Sequence, residues 1–506
     1  MLPNFAVGED FAPLAVNKIS CGRDATLRGA FSRSEKPLLS LELPRTIGCI
    51  CPVMRISRDA MAPGEEKAEP FRADIPFAYS KTEYGCAAPY DVYTLTLDAD
   101  LLCGNTGSGL FYWEIIFMRG LDTLFSDTVD NVHFTLSRTN GHPFRLLIYE
   151  DGYAVPDVGG GIMYHVFVDR FARGKGHTEY MPDARVSACP PDKWEPEYAE
   201  IRGGDVDNRD FFGGNLWGVA EKMPYLSSLG VTMLYLSPVG KSPSNHKYDT
   251  WDYMQTDGGF GGDEALAKVF SEGKKYGIKV ILDGVYNHTG NDSPYFVSAQ
   301  DENSPYRSWY YFSDAAAGGH GYECWWGIKI LPKLNLSDGG CMNYLTSADG
   351  VAGKYMKMGA SGFRLDVADE LPDEFLENLR ATVKKINPEG IIIGEVWENA
   401  ADKIAYGRRR SYFRGNQLDS VMNYPFRSAV IDFVRYGDSR LLADELTEIY
   451  ASYPRSVCDV LMNVIGTHDT ERILTLLGAP ERASDASASN DNCVQAEFAL
   501  TAVERA

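Results

Sequence analysis

Arg364 and Asp366, two residues apart in Gly362-Phe-Arg-Leu-Asp-Val-Ala-Asp-Glu370, are the side chains most suited to chemistry. Phe363, Leu365 and Val367 alternate with them at the two-residue period of a strand, so the Arg and the Asp share one face. Unpaired charge on a core strand is costly, and the pair must therefore line a polar site. A guanidinium beside a carboxylate favours its ionised form, which suits a nucleophile. A buried ion pair that only holds the fold together reads the same way, so other strand ends must decide.

Three further stretches carry matching groups. Asp283-Gly-Val-Tyr-Asn-His288 ends an apolar run; Asp283 can brace its neighbours, with Asn287 and His288 at the rim. Glu395 ends another apolar run beside Val396 and Trp397. A carboxylic acid against apolar and aromatic surface keeps its proton, as a general acid must, although a helix cap would look alike. Gly466-Thr-His-Asp-Thr-Glu-Arg472 offers His468 and Asp469, which can both reach a ligand from a strand end. Asp366, Glu395 and Asp469 at separate strand ends form the set that retaining glycoside cleavage needs. One acid attacks the anomeric carbon and another, about 5–5.5 Å away, protonates the departing oxygen. The third can hold hydroxyls of the distorted ring.

The elements that must position these groups read as strands alternating with helices from Ile162 onward, the mark of a parallel sheet. Strands are expected at Ile162–Val168, Val231–Leu236, Lys279–Asp283, Gly362–Glu370, Gly390–Val396, Leu418–Met422 and Asp459–Val464. Helices are expected over 215–229, from Asp263 as N-cap to Gly277, from Pro372 onward, and near Cys493. The fold class is α/β, a (β/α)8 TIM barrel whose eighth strand is not found, and the chain is read as lacking its C-terminal part. Residues 1–150 are all-β by their aromatic and β-branched runs and turn signals, an N-terminal β-sandwich. The expected domains are 1–150 as sandwich, 151–161 as linker, 162–288 as first part of the barrel, 289–335 as a small inserted domain after strand three, and 336–506 as the remaining barrel.

Composition narrows the partners. A net charge of −21 argues against nucleic acid and anionic membrane surfaces. No stretch approaches the length of apolar chain that spans a bilayer, and the N-terminus shows no signal peptide. The ten cysteines have no zinc-type spacing, which fits free thiols in a reducing cytoplasm. Asp205-Val-Asp-Asn208 offers oxygens suited to calcium, against the plainer reading of a solvated acidic loop.

Taken together and in order, Asp283–His288, Gly362–Glu370, Gly394-Glu-Val-Trp397 and Thr467-His-Asp469 resemble the motifs of the α-amylase family, glycoside hydrolase family 13. The resemblance covers roughly residues 160–475. It implies Asp366 as nucleophile, Glu395 as acid/base and Asp469 as transition-state stabiliser. It also implies sugar binding by Arg364, His288 and His468, stacking by Tyr248 with Asp249 beside it, and an acceptor-side platform at Trp397. Leu331-Pro-Lys-Leu-Asn335 resembles a motif of the neopullulanase, cyclomaltodextrinase and maltogenic amylase group, where a β-sandwich also precedes the barrel. Val367-Ala-Asp-Glu370 departs from that group's usual Val-Ala-Asn-Glu and bears on acceptor preference.

The resemblance implies an α-glucan substrate, no required cofactor or catalytic metal, calcium near the first loop or the insertion in some members, and a homodimer as one assembly. The rival readings are a sugar isomerase or glucanotransferase on the same barrel and a non-catalytic glycan-binding protein.

Overall fold

The computed structural model describes residues 29–59, 72–84, 89–128, 130–186, 208–313 and 319–478, with short pieces at 14–15, 19–21, 24–26, 201–202 and 205–206. The chain forms two compact units. One holds Met1–Ala154, Trp397–Asn416 and Asn423–Ala506, the other Val155–Val396 and Gln417–Met422.

The unit that carries Arg364 is built on a six-stranded sheet. Its strands are Ile162–Val166, Val231–Leu236, Lys279–Gly284, Gly362–Leu365, Ile391–Gly394 and Ser420–Val421, each parallel to the next. Strands covered on both faces read as unbroken apolar runs, which explains Val280-Ile-Leu and Ile391-Ile-Ile. Gly362 has φ 142°, and a Cβ there would stand 1.9 Å from the Ile391 carbonyl oxygen, so only glycine lets the fourth strand meet the fifth.

The helix Asp373–Ile386 buries Phe375, Leu376, Leu379 and Val383. Asp373 and Glu374 sit in its first turn and Lys384 and Lys385 in its last, as the helix dipole favours. Its Arg380 and Lys384 reach 2.7 and 2.9 Å to the buried Asp419, which also accepts the Ile392 amide at 2.9 Å. One carboxylate thus ties the helix to the fifth and sixth strands.

In the other unit, two mainly antiparallel sheets share one apolar core. Leu39, Leu41 and Leu43 of Leu38–Pro44 and Leu95 of Pro89–Thr96 come from one sheet. Phe111, Trp113, Ile115 and Phe117 of Gly109–Arg119 come from the other, with Trp113 stacked on Phe144 at 4.2 Å. Every second residue of these strands faces inward, the pattern of a half-covered sheet. Arg145 pairs with Asp402 at 2.7 Å and with Glu448, binding the later segments of this unit to its sheet.

Several elements differ from the reading of the sequence. The helix expected over 215–229 is two, Leu216–Glu221 and Met223–Ser228, because Pro224 has no amide to donate back across the junction. Gly261, not Asp263, caps Gly262–Lys275; the Asp263 carboxylate accepts the Thr256 amide and pairs with Lys354 at 2.8 Å. The fourth strand stops at Leu365, since Val367 turns left-handed at φ 40° and Ala368–Glu370 forms a 3-10 turn. Asp459–Val464 is not a strand of the sheet: it follows the short helix Arg455–Cys458, with Asp459 and Val460 in a turn and Met462 at a single bridge position. The helix expected near Cys493 lies outside the described residues.

Candidate active site

Register across the parallel sheet assembles the polar groups. Asp283 stands level with Arg364, and Arg364 with Ile393. The ladder continues one step past the strand ends, with the Asp366 amide donating to Gly284 O and the Glu395 amide to Leu365 O. Both carboxylates are therefore fixed at their backbones.

Arg364 is the hub. Its Nη1 lies 3.0 and 3.1 Å from the two oxygens of Asp283 and 2.9 Å from Asp366 Oδ1. Its Nη2 lies 2.9 Å from Glu395 Oε2. That same Glu395 oxygen accepts the Val367 amide at 2.8 Å, which the left-handed turn at Val367 aims toward it. The Arg364 and Asp283 side chains have no exposed surface, whereas Asp366 keeps 10% and Glu395 7%. The two latter acids are thus the ones a ligand can reach.

One cation faces three carboxylates, and this changes the electrostatics expected from the sequence. Burial pushes the Asp366 carboxyl well above the usual carboxylate range; Arg364 opposes that, and Asp283 and Glu395 add to it. Burial and the neighbouring carboxylates thus outweigh the pull of a counter-charge that three acids share.

Tyr248 OH donates to Asp283 Oδ2 at 2.8 Å, so the expected stacking ring also braces the hub. Asp249 accepts the hydroxyls of Ser242 and Ser244, which employs it within its own loop. His288 is buried; burial pulls its imidazole down to about 4, and its Nε2 has no hydrogen-bond partner. Lys333 of Leu331-Pro-Lys-Leu-Asn335 bridges to the His288 backbone and pairs through Nζ with Glu370 at 2.6 Å.

His468, Asp469 and Trp397 belong to the other unit. There His468 Nε2 lies 3.1 Å from Asp469 Oδ2, on a turn between Thr467 and Thr470. The Trp397 ring lies flat on Tyr424, 3.9 Å between centroids and 6° between planes, and is 47% exposed.

Reasoning from the sequence missed Tyr235, whose hydroxyl donates to Asp283 and whose ring carries His165 at 4.7 Å. A tyrosine within the apolar run Val231–Leu236 was the available signal, since a buried phenol requires a partner. Of Asp205–Asn208, proposed as calcium donors, Asp207 lies outside the described residues. Among the described residues no group of three His, Cys, Asp or Glu side chains is arranged to hold a metal ion, and no helix is long and apolar enough to cross a membrane.

An acid pair bound to one arginine at the ends of neighbouring parallel strands defines the class of site. Residues 165–503 match the family model described as Alpha amylase, catalytic domain, and the chain belongs to that family. Among similar curated proteins is an amylopullulanase of Thermoanaerobacter thermohydrosulfuricus, 32% identical over 396 residues, 67% of this chain and 26% of that protein. Another is neopullulanase 2 of Thermoactinomyces vulgaris, 36% identical over 330 residues, 63% of this chain and 52% of that one. The chain therefore spans between about a quarter and about half the length of these relatives. The solved type III pullulan hydrolase from Thermococcus kodakarensis is similar in fold, with a TM-score of 0.57 at 22% identity over 94% of this chain and 75% of that one.

Proposed function

We propose that the chain carries the catalytic centre of a retaining α-glucosidic hydrolase. Its substrates would be α-1,4 and α-1,6 linkages of maltooligosaccharides, cyclodextrins, pullulan or starch. The observation that carries this reading is the division of the Arg364 fork between Asp366 and Glu395. Two acids brought to one guanidinium from neighbouring strand ends supply the paired carboxyls that a nucleophile and an acid/base require.

In the first step an Asp366 oxygen bonds to the anomeric carbon while Glu395 gives its proton to the departing glycosidic oxygen. In the second, Glu395 takes a proton from water, whose oxygen displaces Asp366 and restores the starting configuration. His288 Nε2 holds a sugar hydroxyl, and Asp469 and His468, by family resemblance, hold others. Trp397, flat and half exposed, suits an acceptor sugar, which favours some transfer alongside hydrolysis.

The chemistry needs no cofactor. We read the parallel sheet as part of a (β/α)8 barrel, the core of two mainly antiparallel sheets as a sandwich, and 289–335 as an inserted domain. Free thiols at Cys49, Cys51, Cys103, Cys324, Cys341 and Cys458 support an intracellular protein. A homodimer is part of the same reading, to be read by sedimentation.

The test is product analysis of the full-length protein on pullulan, cyclodextrin and starch side by side, with the product anomer followed by NMR. Maltose-type or panose-type products of retained α configuration are expected. Inverted products, or no cleavage of any of the three, contradict the reading.

A further inference from the structure

The aromatic side chains of the insertion sort into two kinds. Trp309 packs against Tyr295, Tyr306 and Tyr344 at 5.6, 4.9 and 5.2 Å, and Tyr310 against Phe296 at 4.9 Å; both are buried. Packing accounts for them. Trp326 is different, for 81% of it is exposed.

Trp326 ends a stack of three rings. It lies on Trp325 at 5.3 Å and 23°, and Trp325 lies on His288 at 5.4 Å and 26°. The stack runs from the loop that follows Asp283 out to solvent. Trp325 lies beside the Trp326 indole, yet most of that ring remains open to solvent.

The platform is held by a turn that is costly to make. Trp326 sits at φ 50°, ψ 27°, an uncommon conformation for a bulky residue. The Trp325 amide donates to Leu331 O at 3.0 Å, the Ile328 amide to Trp325 O at 2.9 Å, and the Lys333 amide to Glu323 O at 2.9 Å. Strain kept by a well-bonded turn, with an apolar ring left in water, marks a binding surface rather than packing.

The inner end of the stack points to the ligand's chemistry. His288 Nε2 and Trp325 Nε1 are both buried without a hydrogen-bond partner. Apolar ring faces together with open ring nitrogens match a pyranose, which is apolar on its faces and rimmed by hydroxyls.

We infer that Trp326 stacks on a glucosyl ring of the substrate chain, in an outer subsite beyond the sugar that His288 holds, with Trp325 Nε1 donating to a hydroxyl between them. The inference rests on the α-glucan reading above and makes the enzyme selective for longer chains.

The test compares maltohexaose with maltotriose on the full-length wild type, Trp326→Ala and Trp326→Phe. Trp326→Ala is expected to raise KM for maltohexaose about five- to tenfold, with a much smaller effect on maltotriose, which is too short to span the stack. Trp326→Phe is expected to recover most of the loss. An unchanged KM for maltohexaose, or equal losses on both substrates, overturns the inference. So does a change from dimer to monomer in Trp326→Ala with KM unchanged, since the ring would then seat a second copy of the chain. A wild type that cleaves no α-glucan refutes the parent reading instead. The inference is then judged by calorimetry with maltohexaose, where absent binding, or binding that Trp326→Ala does not weaken, overturns it.

Discussion

Asp366 and Glu395 share one guanidinium: Arg364 Nη1 lies 2.9 Å from the first and Nη2 2.9 Å from the second. A planar fork can hold two carboxylates side by side at fixed angle, whereas an ammonium is a point charge. Arg364→Lys keeps the charge and loses the fork. It is expected to lower kcat by at least about 100-fold with the fold intact by circular dichroism, as misplaced catalytic groups do. Activity within tenfold of wild type would show that the fork does not set the spacing.

Glu395 accepts both the Val367 amide and the Arg364 charge through one oxygen. As the proton donor it matters most when the leaving group is poor. Glu395→Gln is therefore expected to lose activity on maltooligosaccharides by several orders of magnitude and far less on an activated aryl glycoside. Azide should raise turnover of the activated substrate and yield a glycosyl azide. No rescue, together with equal losses on both substrates, would remove Glu395 from the acid/base role.

The pH profile follows from burial. Asp366 must be ionised to attack, yet burial, with Asp283 and Glu395 adding, pushes its carboxyl upward. The acid limb of kcat/KM is thus expected above the ordinary carboxylate value of about 4. Asp283→Asn removes one of the charges that raise it and should move the limb to lower pH. A limb that stays in place or moves upward contradicts this account of the cluster.

His288 makes a separate prediction about stability. Its imidazole falls from 6.5 to about 4 on folding, because burial disfavours the cation. Between those values the unfolded chain binds a proton that the folded chain does not, so stability is lost as pH falls from 6.5 toward 4. The loss attributable to this one group is on the order of 3 kcal/mol at most. His288→Gln should flatten the decline of the urea midpoint over that range; an unaltered slope would mean that other groups carry it.

How much could be read beforehand differed by residue. Arg364 and Asp366 were legible as a pair, because strand period alone puts them on one face and glycines mark the strand's start. Asp283 and Glu395 were legible as strand-end acids, but their shared hub was not. That depends on register between strands distant in the chain, which no local pattern encodes. The left-handed turn at Val367 was hidden too, since a β-branched residue disfavours it and only the surrounding contacts impose it. Asp459–Val464 misled because a short apolar run reads as a strand, whereas here the chain leaves the helix Arg455–Cys458 through a turn at Asp459 and Val460. Trp309 and Trp326 are the same residue type in one segment, and only tertiary packing separates the buried ring from the exposed one.

The most direct test of the central claim is to trap the covalent intermediate. A fluorinated α-glucosyl fluoride slows the second step more than the first, and digestion with mass spectrometry then identifies the labelled peptide. The account predicts one glycosyl group on Asp366, lost from Asp366→Asn. A label on Asp283 or Glu395, or turnover of the probe to inverted product with no label, would contradict it.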